Sequence, residues 1–283
     1  MKVDDSNIIH IDSGQPVGMF DSGVGGLTVL KALQERLPGE DILYLGDTAR
    51  LPYGSKSPQT VSRYAVQAAS ALVRRGVKML VVACNTASAV ALDAIRAAFP
   101  GLSVVGVVEP GARAACAASH NGIIAVVATE GTIAGGAYHR AIERIRPDAL
   151  IKGQACPLFV SLAEEGWVDG PIAEAVAARY LEPLFADSGG ENPDSLVLGC
   201  THFPLLEPAI RTVLGPQVRI VDSAATTAEV VDSLLQEFNM LADPGQTGTA
   251  HFLTTDDVER FVRTGTRFLG RDIARERVEL VDL

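Results

Sequence analysis

Two cysteines are the residues best placed for chemistry. Cys84 lies in Val81-Val82-Ala83-Cys84-Asn85-Thr86-Ala87-Ser88-Ala89 and Cys200 in Leu196-Val197-Leu198-Gly199-Cys200-Thr201-His202-Phe203-Pro204. Each closes a short apolar run of strand type and opens onto small polar residues, followed by an alanine-rich or proline-bounded helical pattern. In an open α/β sheet ligands bind outside the carboxyl ends of the strands, so two such thiols can face one cleft from opposite sides. A pair of thiols flanking a small substrate is the apparatus of a two-base proton exchange. One thiolate takes a proton from carbon, the opposite thiol returns one to the other face, and the product is the mirror image. A single cysteine at a strand end is more often plain packing, because free cysteine is among the most buried residue types. It is the pairing that points to chemistry.

Each thiol needs a neighbour to manage its proton. Asp21, at an adjacent strand end, is placed to serve Cys84, and His202, two residues beyond Cys200, to serve that thiol directly. Structural readings stand beside these: Asp21 as a helix N-cap, and His202 as a turn residue satisfying backbone groups. A Cys–His pair also suits nucleophilic hydrolysis or amide transfer, but that chemistry needs one cysteine and leaves Cys84-Asn85-Thr86 without a task. The cysteines at 84, 116, 156 and 200 are not at Cys-x-x-Cys spacing and no His-x-x-x-His accompanies them, which argues against a zinc site. No lysine stands in a strand-end setting suited to pyridoxal phosphate. The glycine turn Asp21-Ser22-Gly23-Val24-Gly25-Gly26-Leu27 is neither a dinucleotide fingerprint, having Thr28 three residues beyond Gly25, nor a P-loop. It is a place where backbone N–H groups can approach a carboxylate. The expected chemistry uses no cofactor and no metal.

The elements that position these residues follow a repeated rhythm. Val17 to Phe20 reads as a strand entering the glycine turn and a helix through Leu37; Ile42 to Leu45 is a strand running into the polar loop Gly46 to Gly54. A helix over 57–75, the first cysteine strand and a helix to about Phe99 follow. Val104 to Val108 then reads as a strand, with a helix to His120, and the strand Ile123 to Ala128 leads into Thr129-Glu130-Gly131-Thr132. A strand at Ala149 to Ile151, helices to Gly166 and over 171–185, and the second cysteine strand complete the pattern. The spacing from Asp21 to Thr129 is close to that from Cys84 to Cys200, which suggests an internal duplication: two α/β halves placing equivalent strand ends face to face. A strand over 218–222, a helix over 226–238, a strand at His251 to Leu253 and a helix over 256–269 are expected to return to the first half. The boundaries expected are a polar leader over 1–16, a first domain over 17–103 completed by 218–283, and a second over 104–217.

Composition narrows the setting. At 283 residues, 47% apolar and 20% charged, the chain can bury two ordinary cores. A net charge of −10 without a clustered basic stretch argues against a nucleic-acid surface. So few cysteines argue against a disulfide framework, the leader lacks the apolar core of a signal peptide, and no run reaches the roughly 18 apolar residues of a spanning helix. The expected compartment is the cytoplasm.

Four stretches together carry a resemblance: Phe20 to Leu27, Gly46 to Gly54, Ala83 to Ala89, and Gly199-Cys200-Thr201-His202-Phe203-Pro204-Leu205-Leu206. In order and over most of the chain, they closely resemble glutamate racemase, of the aspartate/glutamate racemase superfamily. The resemblance implies two pseudo-symmetric three-layer α/β domains with the active site in the cleft between them, and cofactor-independent interconversion of L- and D-glutamate. It implies Cys84 and Cys200 as the acid/base pair, with Asp21, His202 and a glutamate, Glu164 or Glu165, assisting; counting from Cys156-Pro157 favours Glu164. It assigns substrate contacts to Asp21, Ser22, Tyr53, Gly54, Asn85, Thr86, Thr132, Thr201 and His202. The family supplies D-glutamate for peptidoglycan, homodimers are usual in it, and some members also bind DNA gyrase, a trait on which these residues are silent. Two departures touch the site: Ala128 stands where the family commonly has glycine, and Ser161-Leu162-Ala163 replaces a proline-containing run. Two other readings remain: a superfamily racemase acting on aspartate or a hydantoin, and a two-lobed amino-acid-binding protein without turnover.

Overall fold

The computed structural model describes residues 11–186 and 192–283. The strands are β1 (Val17–Asp21), β2 (Ile42–Gly46), β3 (Met79–Val82), β4 (Ser103–Gly106), β5 (Ile123–Ala128), β6 (Leu150–Ala155), β7 (Ser195–Gly199), β8 (Arg219–Val221), β9 (Ala250–Thr254) and β10 (Val278–Leu280). The helices are α1 (Leu27–Arg36), α2 (Pro58–Val73), α3 (Asn85–Val90), α4 (Leu92–Ala98), α5 (Val108–Ala118), α6 (Glu130–Ala134), α7 (Ala137–Ile145), α8 (Pro157–Glu165), α9 (Gly170–Phe185), α10 (Glu207–Leu214), α11 (Ala224–Glu237) and α12 (Val258–Leu269).

The strands form two parallel sheets, ordered β10-β9-β2-β1-β3-β4 and β6-β5-β7-β8. The order β2-β1-β3-β4 in the first recurs as β6-β5-β7-β8 in the second, as a duplication requires. In each sheet the strand order reverses between the two central strands, β1 and β3 or β5 and β7, and such a switch point opens a crevice at the carboxyl ends. Asp21 and Cys84 stand at one crevice, Thr129 and Cys200 at the other.

Parallel strands buried on both faces read as continuous apolar runs, and β1, β3, β5 and β7 are buried at every position. One face of the first sheet packs on α1, α11 and α12 through Leu30, Leu33, Val231 and Phe268; the other packs on α2 through Val61, Ala65 and Leu72. The second sheet is covered by α8, α9 and α10 on one side and by α5 and α7 on the other. Burying each large aliphatic side chain contributes about 1.5–3 kcal/mol relative to leaving it exposed.

Several boundaries differ from the sequence pattern. Val107 and Val108 leave the strand because β4 runs only as far as its partner, with Val82 opposite Gly106. They open α5, where Pro110 falls in the first turn and its missing N–H costs nothing. The helix after Cys84 divides at Ala91 into α3 and α4. β6 continues through Lys152-Gly153-Gln154, polar residues that an edge strand with one neighbour tolerates. By sheet membership β4 stays in the first sheet and β8 in the second. The crossings therefore fall after Gly106 and after Val221, rather than at 103/104 and 217/218. Of the leader, residues 1–10 lie outside the described residues. The rest is tied down, Lys78 Nζ donating to the Ser13 carbonyl at 2.6 Å.

Candidate active site

Asp21 ends β1 fully buried; its carboxylate accepts from Gly23 N at 3.0 Å and from Thr201 Oγ1, across the seam, at 3.5 Å. Burial raises its pKa, while the His202 charge and the backbone N–H groups of Gly26, Gly23 and Ser22 pull the other way. The glycine turn itself packs on the second half: a side chain at Gly25 would overlap Thr201 and His202.

Cys84 caps α3, its sulfur accepting from Ala87 N at 3.5 Å and the thiol donating to Ser22 Oγ at 3.8 Å. Burial pushes the thiol up to about 12, the Asp21 carboxylate adds to that, and Cys200 is close enough to contribute as well. Cys200, beyond β7, sits with its sulfur 4.0 Å from His202 Nδ1. His202 Nε2 lies 3.3 Å from Glu164 Oε1, on the last turn of α8. Burial opposes the imidazolium, but hydrogen bonds to Cys200 and Glu164, with the charges of Cys200 and Asp21, raise His202 to about 10. The same bond to His202 chiefly lowers Glu164. His202 is thus a cation near neutral pH, facing a sulfur on one side and a carboxylate on the other. Of the two glutamates ending α8, Glu164 is the one against it.

Around the thiols stand groups suited to an amino acid. Asn85 is buried, its Oδ1 accepting from Tyr138 Oη at 2.7 Å while its Nδ2 has no partner among the described residues. An orphaned buried donor is costly unless a ligand meets it. Thr86 and Thr132 meet Thr129 in a buried triad of hydroxyls 3.0–3.2 Å apart, which joins the two halves. Gly54 comes so close to Thr129 that no side chain fits there. Tyr53 is fully buried with its hydroxyl donated to Asp47, so it can offer the cleft only its backbone. Asp47 also takes Arg50 Nε at 2.7 Å and Thr255 Oγ1 at 3.0 Å, and so fixes the loop that presents Tyr53 and Gly54. Among the described residues, no group of three or more His, Cys, Asp or Glu is placed to hold a metal ion.

Sequence reasoning missed Thr129, Tyr138 and Asp47 as partners of the site. It also missed α12, whose Arg260, Arg267 and Phe268 reach Glu164 and His202. Thr129 stood in plain view, in the turn equivalent to Asp21-Ser22; the α12 residues carried no local signal.

Residues 25–231 match the model of the Asp/Glu/Hydantoin racemase family. The chain is also 51% identical over 254 residues to the glutamate racemase of Geobacter metallireducens, covering 90% of this chain and 92% of that one. It belongs to the glutamate racemase branch of that family. Its fold is that of a glutamate racemase from Francisella tularensis solved in complex with D-glutamate, with a TM-score of 0.87, 36% identity, and 95% and 98% of the two chains covered. The glutamate racemase from Thermus thermophilus, in complex with beta-chloro-D-alanine, gives a TM-score of 0.84 at 44% identity over 96% and 98% of the chains.

Proposed function

We propose that this racemase interconverts L- and D-glutamate by two-base proton transfer, with Cys84 and Cys200 on opposite faces of the α-carbon. The observation that carries the reading is the placing of these thiols at equivalent strand ends, each with its own polar partners. Cys84 has Ser22, the Ala87 N–H and the nearby Asp21; Cys200 has His202 backed by Glu164. The roles then follow from chemistry. His202 passes a proton to or from the Cys200 sulfur while Glu164 stabilises the imidazolium. Cys84 is held protonated by burial and by Asp21, ready to donate; an incoming α-ammonium offsets the Asp21 charge and lets that thiol ionise in the reverse direction. Asn85 Nδ2 and the hydroxyls of Thr86, Thr132, Thr201 and Ser22 supply donors for the two carboxylates. With Cys84 only 5% and Cys200 only 7% exposed, substrate enters when the halves part along the seam.

The reading extends to a homodimer in the cytoplasm that supplies D-glutamate for the cell wall, as its family membership suggests. Among the described residues no helix is long and apolar enough to cross a membrane. The test is L-glutamate in D₂O without added cofactor, following optical rotation together with deuterium at the α-carbon. Loss of rotation with deuterium entering the inverted product is expected. Activity on aspartate instead would keep the mechanism and move the substrate, and inertness toward both would sink the reading.

A further inference from the structure

The pair that serves Cys200 belongs to the second half, yet it is seated by a helix of the first. One face of α12 carries Arg260, Thr264, Arg267 and Phe268, at the spacing that aligns residues along a helix. Arg260 Nη2 reaches Glu164 Oε2 at 3.4 Å, and Arg267 Nη1 donates to the Glu164 carbonyl at 2.7 Å. The Phe268 ring meets the His202 ring edge-on, with centroids 4.9 Å apart. A carbonyl in the last turn of α8 has no partner within its helix, and a guanidinium there both caps it and suits the helix dipole. Arg260 is 57% exposed along its side chain, so its ion pair adds little to stability and its contribution lies elsewhere.

Resting on the reading above, we propose that Arg260 and Arg267 are positioning residues for the Glu164–His202 pair. The proton machinery of Cys200 is then assembled only when α12 of the first half is docked on α8 of the second. Cys84 draws its partners Ser22, Ala87 and Asp21 from its own half, and of these Asp21 meets the other half through Thr201.

The test reads His202 itself. His202 faces Cys200 and Glu164 from its own half and Asp21 from the other, with Arg260 beyond Glu164. Removing two cations would by charge alone raise an imidazolium pKa, whereas freeing Glu164 from its seat lowers it, so the sign of the change separates positioning from simple electrostatics. The ¹⁵N imidazole signals are titrated in wild type and in Arg260→Gln/Arg267→Met, with His202→Asn for assignment. The His202 midpoint is expected to fall by roughly one pH unit or more. In the double variant kcat should drop roughly tenfold with KM nearly unchanged, and Arg267→Lys should keep most of the rate. Arg260→Gln alone, a half-exposed side chain paired with Glu164, should show the same sign at smaller size and serves if the double variant fails to fold. A His202 midpoint unchanged or raised in these variants would overturn the proposal. Because the titration needs no turnover, a wild-type protein inert toward glutamate but showing the downward shift would retain the positioning role and reject the racemase reading.

Discussion

Glu164→Gln removes one charge and keeps the shape of the residue that backs His202. His202 stands at about 10 against an ordinary value of 6.5, an elevation that corresponds to roughly 5 kcal/mol in favour of the imidazolium. Cys200 and Glu164 make the two largest favourable contributions against burial. Taking Glu164 away should therefore cost about 2 kcal/mol of that preference and bring His202 to roughly 8 to 9. The sign for stability follows directly. A folded-state pKa above the unfolded one contributes stability that is complete below about 6.5 and is lost as pH climbs toward 10. Urea denaturation at pH 6, 8 and 10 should show the wild type losing stability across that span. The variant should start lower and lose less. The alkaline limb of the racemisation pH profile should move down by about the same one to two pH units. A variant whose alkaline limb and pH-dependent stability coincide with wild type would refute the coupling between Glu164 and His202.

Other outcomes follow from single contacts. Asn85→Asp keeps an acceptor for Tyr138 but turns the free Nδ2 donor into a carboxylate facing substrate. Steady-state kinetics should show kcat/KM for glutamate falling on the order of 100-fold, and the urea midpoint should fall as well, because the new carboxyl is buried. Tyr53→Phe strips a donor from the buried Asp47 carboxylate, and equilibrium unfolding should register a loss of about 1–3 kcal/mol. The KM for glutamate should change far less, since the hydroxyl is already committed to Asp47.

Much of this site was legible in the chain because the central strands are buried on both faces. Met79 to Val82 and Leu196 to Gly199 stand out as apolar runs, and the residues that end them are by position at the crevice. The similar spacing of the two halves then brought Asp21, Cys84 and Cys200 into one neighbourhood. The short α5 start at Val107-Val108 was not legible, since two valines after a valine strand satisfy either element until the length of β3 limits the pairing. Nor were Arg260 and Arg267: on an amphipathic helix two arginines look like a solvated face, and their partner lies about a hundred residues away. Tyr53 shows the converse, a tyrosine expected at the site whose hydroxyl is spent on Asp47 beneath it.

The central claim is that Cys84 and Cys200 act from opposite faces, and the most direct test replaces each by serine and follows α-deuterium uptake from each enantiomer of glutamate separately. The account predicts that both variants lose racemisation by roughly 10³-fold or more. Any exchange that survives should be confined to one enantiomer in Cys84→Ser and to the other in Cys200→Ser. Full turnover in either variant, or residual exchange of the same enantiomer in both, would contradict it.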